Sequence, residues 1–139
     1  MHPYDIRNII EIEKASFTTP WSELSFLNQT YNTNSISKVA VLENNVVGYV
    51  CIRLIPDEAH LLNLAVHQDF RRRGIATTLL NSVISELKGK DCRFLSLEVR
   101  VSNRIAIKFY ERNGFKIVGF RRKYYVSPHE DAAIMMRWL

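Results

Sequence analysis

The stretch Leu61–Lys88, LLNLAVHQDFRRRGIATTLLNSVISELK, decides the fold by its order: an apolar strand, a polar turn of three arginines and one glycine, then a long helix. From about Gly74 to Lys88 the apolar positions 75, 79, 80, 83, 84 and 87 form a wide stripe of period 3.6, and Gly89 is expected to end it. A strand that runs into a helix this way gathers backbone N–H groups at the positively polarised helix start, which suits a phosphate. Gly74 lets the backbone approach such a group without a Cβ in the way. The expectation is that RRRGIA holds a pyrophosphate and the rest of the chain presents a second substrate to it. The turn lacks the Gly-Lys-Ser/Thr of a P-loop and the three glycines of a dinucleotide fingerprint. Taken alone it reads more readily as a solvated basic turn capped by glycine.

Outward from this stretch the pattern alternates. Arg93 to Val101 is a strand with Leu95, Leu97, Val99 and Val101 on one side and Phe94, Ser96, Glu98 and Arg100 on the other. The strand–helix–strand step implies a parallel, right-handed crossover. Ser102 or Asn103 caps a helix, NRIAIKFYERN, that Gly114 ends. Phe115 to Val126 and Ala132 to Trp138 are strands joined by a turn at Ser127-Pro128-His129-Glu130. Before the deciding stretch, Val39 to Leu42, Val46 to Ile55 and Ala59 to Val66 are strands with short connections, hence antiparallel. A helix from Asp5, its expected N-cap, to Phe17 and a second from Ser22 to Tyr31 open the chain, followed by a YNTNSIS loop. The sum is one α+β domain over 1–139, a three-layer α/β/α arrangement with a mixed, mostly antiparallel sheet and helices on both faces.

Composition narrows the function. The chain has 139 residues, 47% apolar and 24% charged, the balance of a globular domain. Its 19 basic and 14 acidic side chains leave a charge of +5, which fits a polyanionic cofactor as well as nucleic acid. The basic clusters at Arg71–Arg73 and Arg121–Lys123 lack the interleaved aromatics of a single-strand platform, so no direct nucleic-acid partner is expected. No apolar run approaches a membrane span and the start is no signal peptide, so neither membrane nor secretion is expected. Cys51 and Cys92 read as buried reduced thiols, consistent with a cytoplasmic protein, and the scattered histidines argue against a metal.

Arg71-x-x-Gly74-x-Ala76 after LLNLAV resembles the acetyl-CoA motif of the GNAT acetyltransferases. Four further blocks follow in that family's order: PWS (20–22), LEVRVSN (97–103), FYERNGF (109–115), and RRKYY with EDAAIM (121–135). Together they are similar to the branch that acetylates the N-terminal alanine of a ribosomal protein. The resemblance implies acetyl-CoA as co-substrate, a protein N-terminus as acceptor and no metal. It also implies a bulged strand at Leu62–Val66 that splays from the strand holding Glu98, with the pantetheine arm in the gap.

The same resemblance assigns roles. Backbone groups of Leu64, Ala65 and Val66 lie along the arm, where an N–H can stabilise an oxyanion. The segment Arg71, Arg72, Arg73, Gly74, Ile75, Ala76 and Thr77 holds the pyrophosphate, and Asn103 contacts the cofactor. Glu98 is the general base and Tyr110 the general acid. Trp21, Tyr31, Tyr124 and Tyr125 border the acceptor groove. Residue by residue, plainer readings stand beside these: Glu98 as a strand carboxylate paired with Arg100 or Arg53, Tyr110 as a core aromatic, Asn103 as a helix cap, one of the two tyrosines as hairpin packing. Two departures are visible. Ala76 stands where many members have glycine, and Met1 lies so close to the first helix that the family's usual first strand has almost no room. That leaves the sheet edge trimmed or covered by another chain, so oligomeric state is open. Rival functions are acetylation of a small amine, antibiotic or lysine side chain, and a non-enzymatic CoA- or RNA-binding module.

Overall fold

The computed structural model describes residues 1–126 and 128–139. The sheet carries six strands: β1 (Ser35–Leu42), β2 (Asn45–Ile55), β3 (Glu58–Val66), β4 (Phe94–Arg100), β5 (Lys116–Val126) and β6 (His129–Trp138). Their order across the sheet is β1-β2-β3-β4-β6-β5, with only β3 and β4 parallel. Helices α1 (Ile6–Ser16) and α2 (Glu23–Tyr31) cover one face; α3 (Ile75–Gly89) and α4 (Arg104–Arg112) cover the other. No helix among the described residues is long and apolar enough to cross a membrane.

Period-two alternation in β2 feeds both cores. Val50 and Ile52 pack with Leu79, Leu80, Val83 and Leu87 of α3, while Tyr49 and Cys51 pack with Ile6, Ile9, Ile12 and Phe26. Burying each of these large aliphatic side chains contributes about 1.5–3 kcal/mol. Both cysteines are free and buried, and burial pushes the Cys51 thiol up to about 12.

In β3 the alternation is deliberately broken. Cys51 pairs with Asn63 but Ile52 pairs with Leu61, so Leu62 is an extra residue, a bulge. Before it, Ala59 and Leu61 face α3; after it, Asn63 and Ala65 face α1. Across its other edge β3 pairs with β4 only at Ala59–Leu95 and His60–Ser96. Beyond that point the two strands part.

The face covered by α1 holds a sealed polar cluster. Glu13 is 1% exposed. The Tyr49 hydroxyl donates to its Oε1, the Asn63 amide donates to both its oxygens at 3.0 Å, and the Trp21 backbone N–H donates to Oε2 at 2.9 Å. The PWS block is thus tied to the sheet through a carboxylate on α1.

Four expectations are corrected. Asp5 does not cap α1: its side chain accepts from the His2 N–H at 2.8 Å and closes a one-turn helix, Pro3–Asp5, that runs straight into α1. The first strand begins at Ser35, inside the expected YNTNSIS loop, because Ile36 alone points inward and the other early positions of this edge strand are polar. Gly89 is the last residue of α3, and the left-handed reversal falls at Asp91 (φ 59°). His129 and Glu130 pair with Val126 and Tyr125 as strand residues; Ser127 of the expected turn lies outside the described residues. The one-turn helix is all that precedes α1, so no strand does among the described residues, and β1 is a sheet edge.

Removing the Glu13 carboxylate leaves three donors without their acceptor. Glu13→Ala is expected to cost roughly 2–4 kcal/mol, read as a lower urea midpoint with an unchanged slope. Alkali tests the same core. Burial, joined by the Glu13 carboxylate for Tyr49, raises the phenols of Tyr49, Tyr110 and Tyr125 above their ordinary value. A raised phenol contributes stability that is complete below the unfolded value of about 10 and lost as pH climbs toward the folded one. The urea midpoint is therefore expected to hold to about pH 9.5 and fall above pH 10; a midpoint steady to pH 11.5 contradicts this.

Candidate functional site

The strand-to-helix turn after Val66 is built by two left-handed residues, Arg72 (φ 65°) and Gly74 (φ 78°). The turn leads directly into the N-terminus of α3, whose unpaired backbone N–H groups make with it a cradle, or nest, suited to an anion. A Cβ built on Gly74 meets nothing within 4 Å, so the space in front of the turn is open. The arginine side chains do not all point there. Arg71 Nε donates to the Val66 carbonyl at 3.0 Å and its terminal nitrogen reaches Ser16 Oγ at 3.4 Å, tying the turn to α1; Arg73 lies over the Phe70 ring at 5.2 Å. The backbone, more than the guanidinium groups, is what this turn offers to a phosphate.

Below the turn, the β4-facing edge of β3 from Leu61 to Val66 pairs with no strand, while Leu64, Ala65 and Val66 pair with Val50, Tyr49 and Gly48 of β2 on the other side. This slot, open along one backbone edge, is where an extended chain can add hydrogen bonds. It is the splay that the resemblance to the GNAT family implies.

Glu98 stands on the β4 wall of the slot, its side chain 10% exposed. Neither Arg100 nor Arg53 is its partner. Glu98 Oε2 meets His60 Nε2 at 2.6 Å, and Oε1 lies 3.7 Å from the Arg121 guanidinium. Arg100 instead pairs with Glu130 at 3.4 Å, donates to the Pro128 carbonyl at 2.9 Å and covers the Tyr125 ring at 4.3 Å. Glu130 in turn accepts from the Ser102 N–H at 2.7 Å, and the hydrogen bonding from Ser102 holds its carboxyl below the usual range.

Tyr110 is 8% exposed, its ring edge-on to Phe109 and Phe115, within the core between α3, α4 and the sheet. Burial, with Tyr125 adding to it, pushes its phenol up. Leu97 and Val99 face that same core, so Glu98 between them faces the opposite side of the sheet. Glu98 and Tyr110 therefore lie on opposite faces of the sheet. Asn103 caps α4, accepting from the Ala106 N–H at 3.1 Å through Oδ1.

The aromatic border is uneven. Tyr125 is half-buried, and burial, then Tyr124 and Glu98, push its phenol up to about 12. Tyr124 is 45% exposed, set perpendicular to Tyr125, with Arg121 over it at 5.5 Å. Both follow an irregularity in which Arg121 pairs with Ala132 but Tyr125 with Glu130, and Lys123 (φ 50°) donates to Asp131 at 2.8 Å. Trp21 packs on Phe26 beside the sealed Glu13. Tyr31 is 72% exposed at the end of α2 and makes no ring contact with the others. Sequence reasoning missed His60, Ser96, Arg121 at Glu98, and the Glu13–Tyr49–Asn63 cluster. Glu13 occupies an apolar-stripe position of α1, four residues after Ile9, and Asn63 interrupts LLNLAV; a polar residue in a buried frame is the signal that was there to find.

A profile of the acetyltransferase (GNAT) family matches residues 6–115. The chain belongs to the GNAT acetyltransferase family. Like other GNAT enzymes it is an acetyl-CoA-dependent N-acetyltransferase. The ribosomal protein bS18-alanine N-acetyltransferase of Salmonella typhimurium is 39% identical over 128 residues, covering 90% of this chain and 85% of that protein. That of Haemophilus ducreyi is 35% identical over 138 residues, covering 97% and 94%. The crystal structure of the ribosomal-protein-S18-alanine N-acetyltransferase from Escherichia coli superposes with a TM-score of 0.91 at 32% identity, covering 99% of this chain and 90% of that one.

In this GNAT domain the open space before Gly74 fits a pyrophosphate. Gly74→Ala puts a Cβ on a left-handed residue at a conformational cost of about 1–2 kcal/mol and into that open space. Acetyl-CoA affinity measured by calorimetry is expected to fall at least about tenfold, or about 1.4 kcal/mol; unchanged affinity contradicts the nest.

Proposed function

We propose that this GNAT domain, spanning 1–139, transfers the acetyl group of acetyl-CoA to the α-amino group of a protein N-terminus. Its substrate is a ribosomal protein of the bS18 type that begins with alanine, which places the reaction in the cytoplasm. The observation that carries this reading is the β3–β4 slot, open along one backbone edge, with the enclosed Glu98 carboxylate on its β4 wall.

The nest from Arg71 to Thr77 holds the pyrophosphate, Asn103 adds a contact, and the unpaired edge at Leu64, Ala65 and Val66 runs along the pantetheine arm. The neutral amine enters from the side covered by α1 and α2. Its nitrogen forms the new bond to the carbonyl carbon, a β3 backbone N–H stabilises the oxygen as it gains charge, and the C–S bond breaks. Glu98 takes the proton the nitrogen sheds. Tyr110, kept protonated by burial, donates to the departing thiolate. No covalent enzyme intermediate is needed.

The single carboxylate suits an α-amine. With a pKa of about 7.7–8.0, about a quarter of it is already neutral near pH 7.4, whereas a lysine at about 10.4 is neutral about once in a thousand. Trp21, Tyr31, Tyr124 and Tyr125 are the groove residues of this reading, with Tyr125 the one whose phenol is raised in part by the Glu98 charge.

The test is mass spectrometry after incubation with acetyl-CoA and a mixture of peptides and small amines. One acetyl group is expected on free N-termini, alanine first; label confined to lysine side chains or aminoglycosides overturns the reading. Glu98→Gln is expected to lower kcat by about 100-fold or more while acetyl-CoA still binds, and near-normal turnover removes Glu98 from the role of base.

A further inference from the structure

His60 and Ser96 are the last residues through which β3 and β4 pair, so they sit at the apex of the slot, and Glu98 is the next residue on the same side of β4. The imidazole joins all three. Its Nε2 is 2.6 Å from Glu98 Oε2 and its Nδ1 is 3.0 Å from Ser96 Oγ. An ionised carboxylate only accepts, so the ring proton of neutral His60 belongs on Nε2. Nδ1 then accepts from the Ser96 hydroxyl. If the ring takes a second proton, Nδ1 becomes a donor and the hydroxyl, by rotating, becomes an acceptor. The same heavy-atom geometry satisfies both charge states, so His60 can change charge without moving.

We propose that His60 is a positioning residue whose charge gates the base. The proposal rests on Glu98 being that base. Held through Oε2, the carboxylate presents Oε1 to the amine. There Arg121, its side chain 57% exposed, approaches only to 3.7 Å. With His60 neutral, Oε2 meets one neutral donor and the carboxylate keeps its appetite for a proton. With His60 charged, a full positive charge sits 2.6 Å from the base and weakens it. The other charged or titratable groups around the pair are Arg53, opposite His60 in β2; Arg100 on β4, engaged with Glu130 of β6; and Arg121, Tyr124 and Tyr125 of β5. Histidine is the side-chain type among these whose charge changes between pH 5 and 8.

The experiment compares kcat/KM of the wild type and His60→Gln on one alanine-starting peptide from pH 5.5 to 8.5. Glutamine keeps a neutral donor and cannot become a cation. The ratio of the two enzymes cancels the peptide's own titration. Whatever its level at pH 8, the ratio of variant to wild type is expected to rise about tenfold between pH 7.5 and 5.5 as the wild type acquires the imidazolium. A flat ratio overturns the proposal. A second measurement needs no variant at this position: ¹⁵N shifts of the His60 ring at pH 8 are expected to show hydrogen on Nε2, and Ser96→Ala to erode that preference. Hydrogen on Nδ1 in the wild type overturns it. Glu98→Gln separates the two readings. An active Glu98→Gln enzyme defeats Glu98 as base, whereas an inactive one with a flat His60 ratio defeats only the gate.

Discussion

Two parallel strands that stop pairing after two residue pairs are the constraint on which this molecule depends. A parallel sheet ordinarily closes its ladder, and an unpaired backbone edge in the middle of a sheet leaves donors and acceptors without partners. Here the unpaired stretch is bounded by firm structure on all sides. β2 holds β3 along its other edge, β6 pairs β4 along its whole length, and the two cores press on both faces. The slot is a hydrogen-bonding deficit kept open by its surroundings, and an extended pantetheine arm has the complementary amide groups to fill it. The anion nest at the mouth and the carboxylate on the wall gain their meaning from that opening.

Two carboxylates on the acceptor side show how environment divides labour. Glu13 is sealed and saturated by a phenol, an amide and a backbone N–H, which makes it a structural tie between α1, the α1–α2 connection and the sheet. Glu98 is nearly as enclosed but keeps one oxygen toward the slot, and its partner is itself titratable. Exchanging the two environments would seal the proposed base away from any proton and leave a tie that opens with pH.

Much of this was legible from residue order. The period of α3, the alternation in β4 and the Asn103 cap are local patterns that tertiary packing only confirms. Glu98 and Tyr110 were named because their blocks resemble the GNAT pattern, and β4 and α4 place them on opposite faces of the sheet. What escaped depended on distance along the chain. His60 is 38 positions from Glu98, and nothing in LLNLAV or its flanks says that the parallel ladder stops beside it. Glu13 and Asn63 meet across 50 positions. The start of β1 and the end of α3 were misjudged for a different reason. Edge strands tolerate polar residues, and a glycine near a helix end need not be the one that reverses the chain.

The extra residue at Leu62 has an evolutionary consequence. It works as a phase shift: the side chains before it and after it are read out on opposite faces of β3. Substitutions along the strand therefore alter single contacts, but a one-codon deletion past it, at Leu64, would exchange the two faces from there on. It would turn Ala65 away from α1 and toward the α3 face. Lineages descending from this chain can drift in composition through β3 while its length stays frozen, so length, more than residue identity, is the trait that selection guards there.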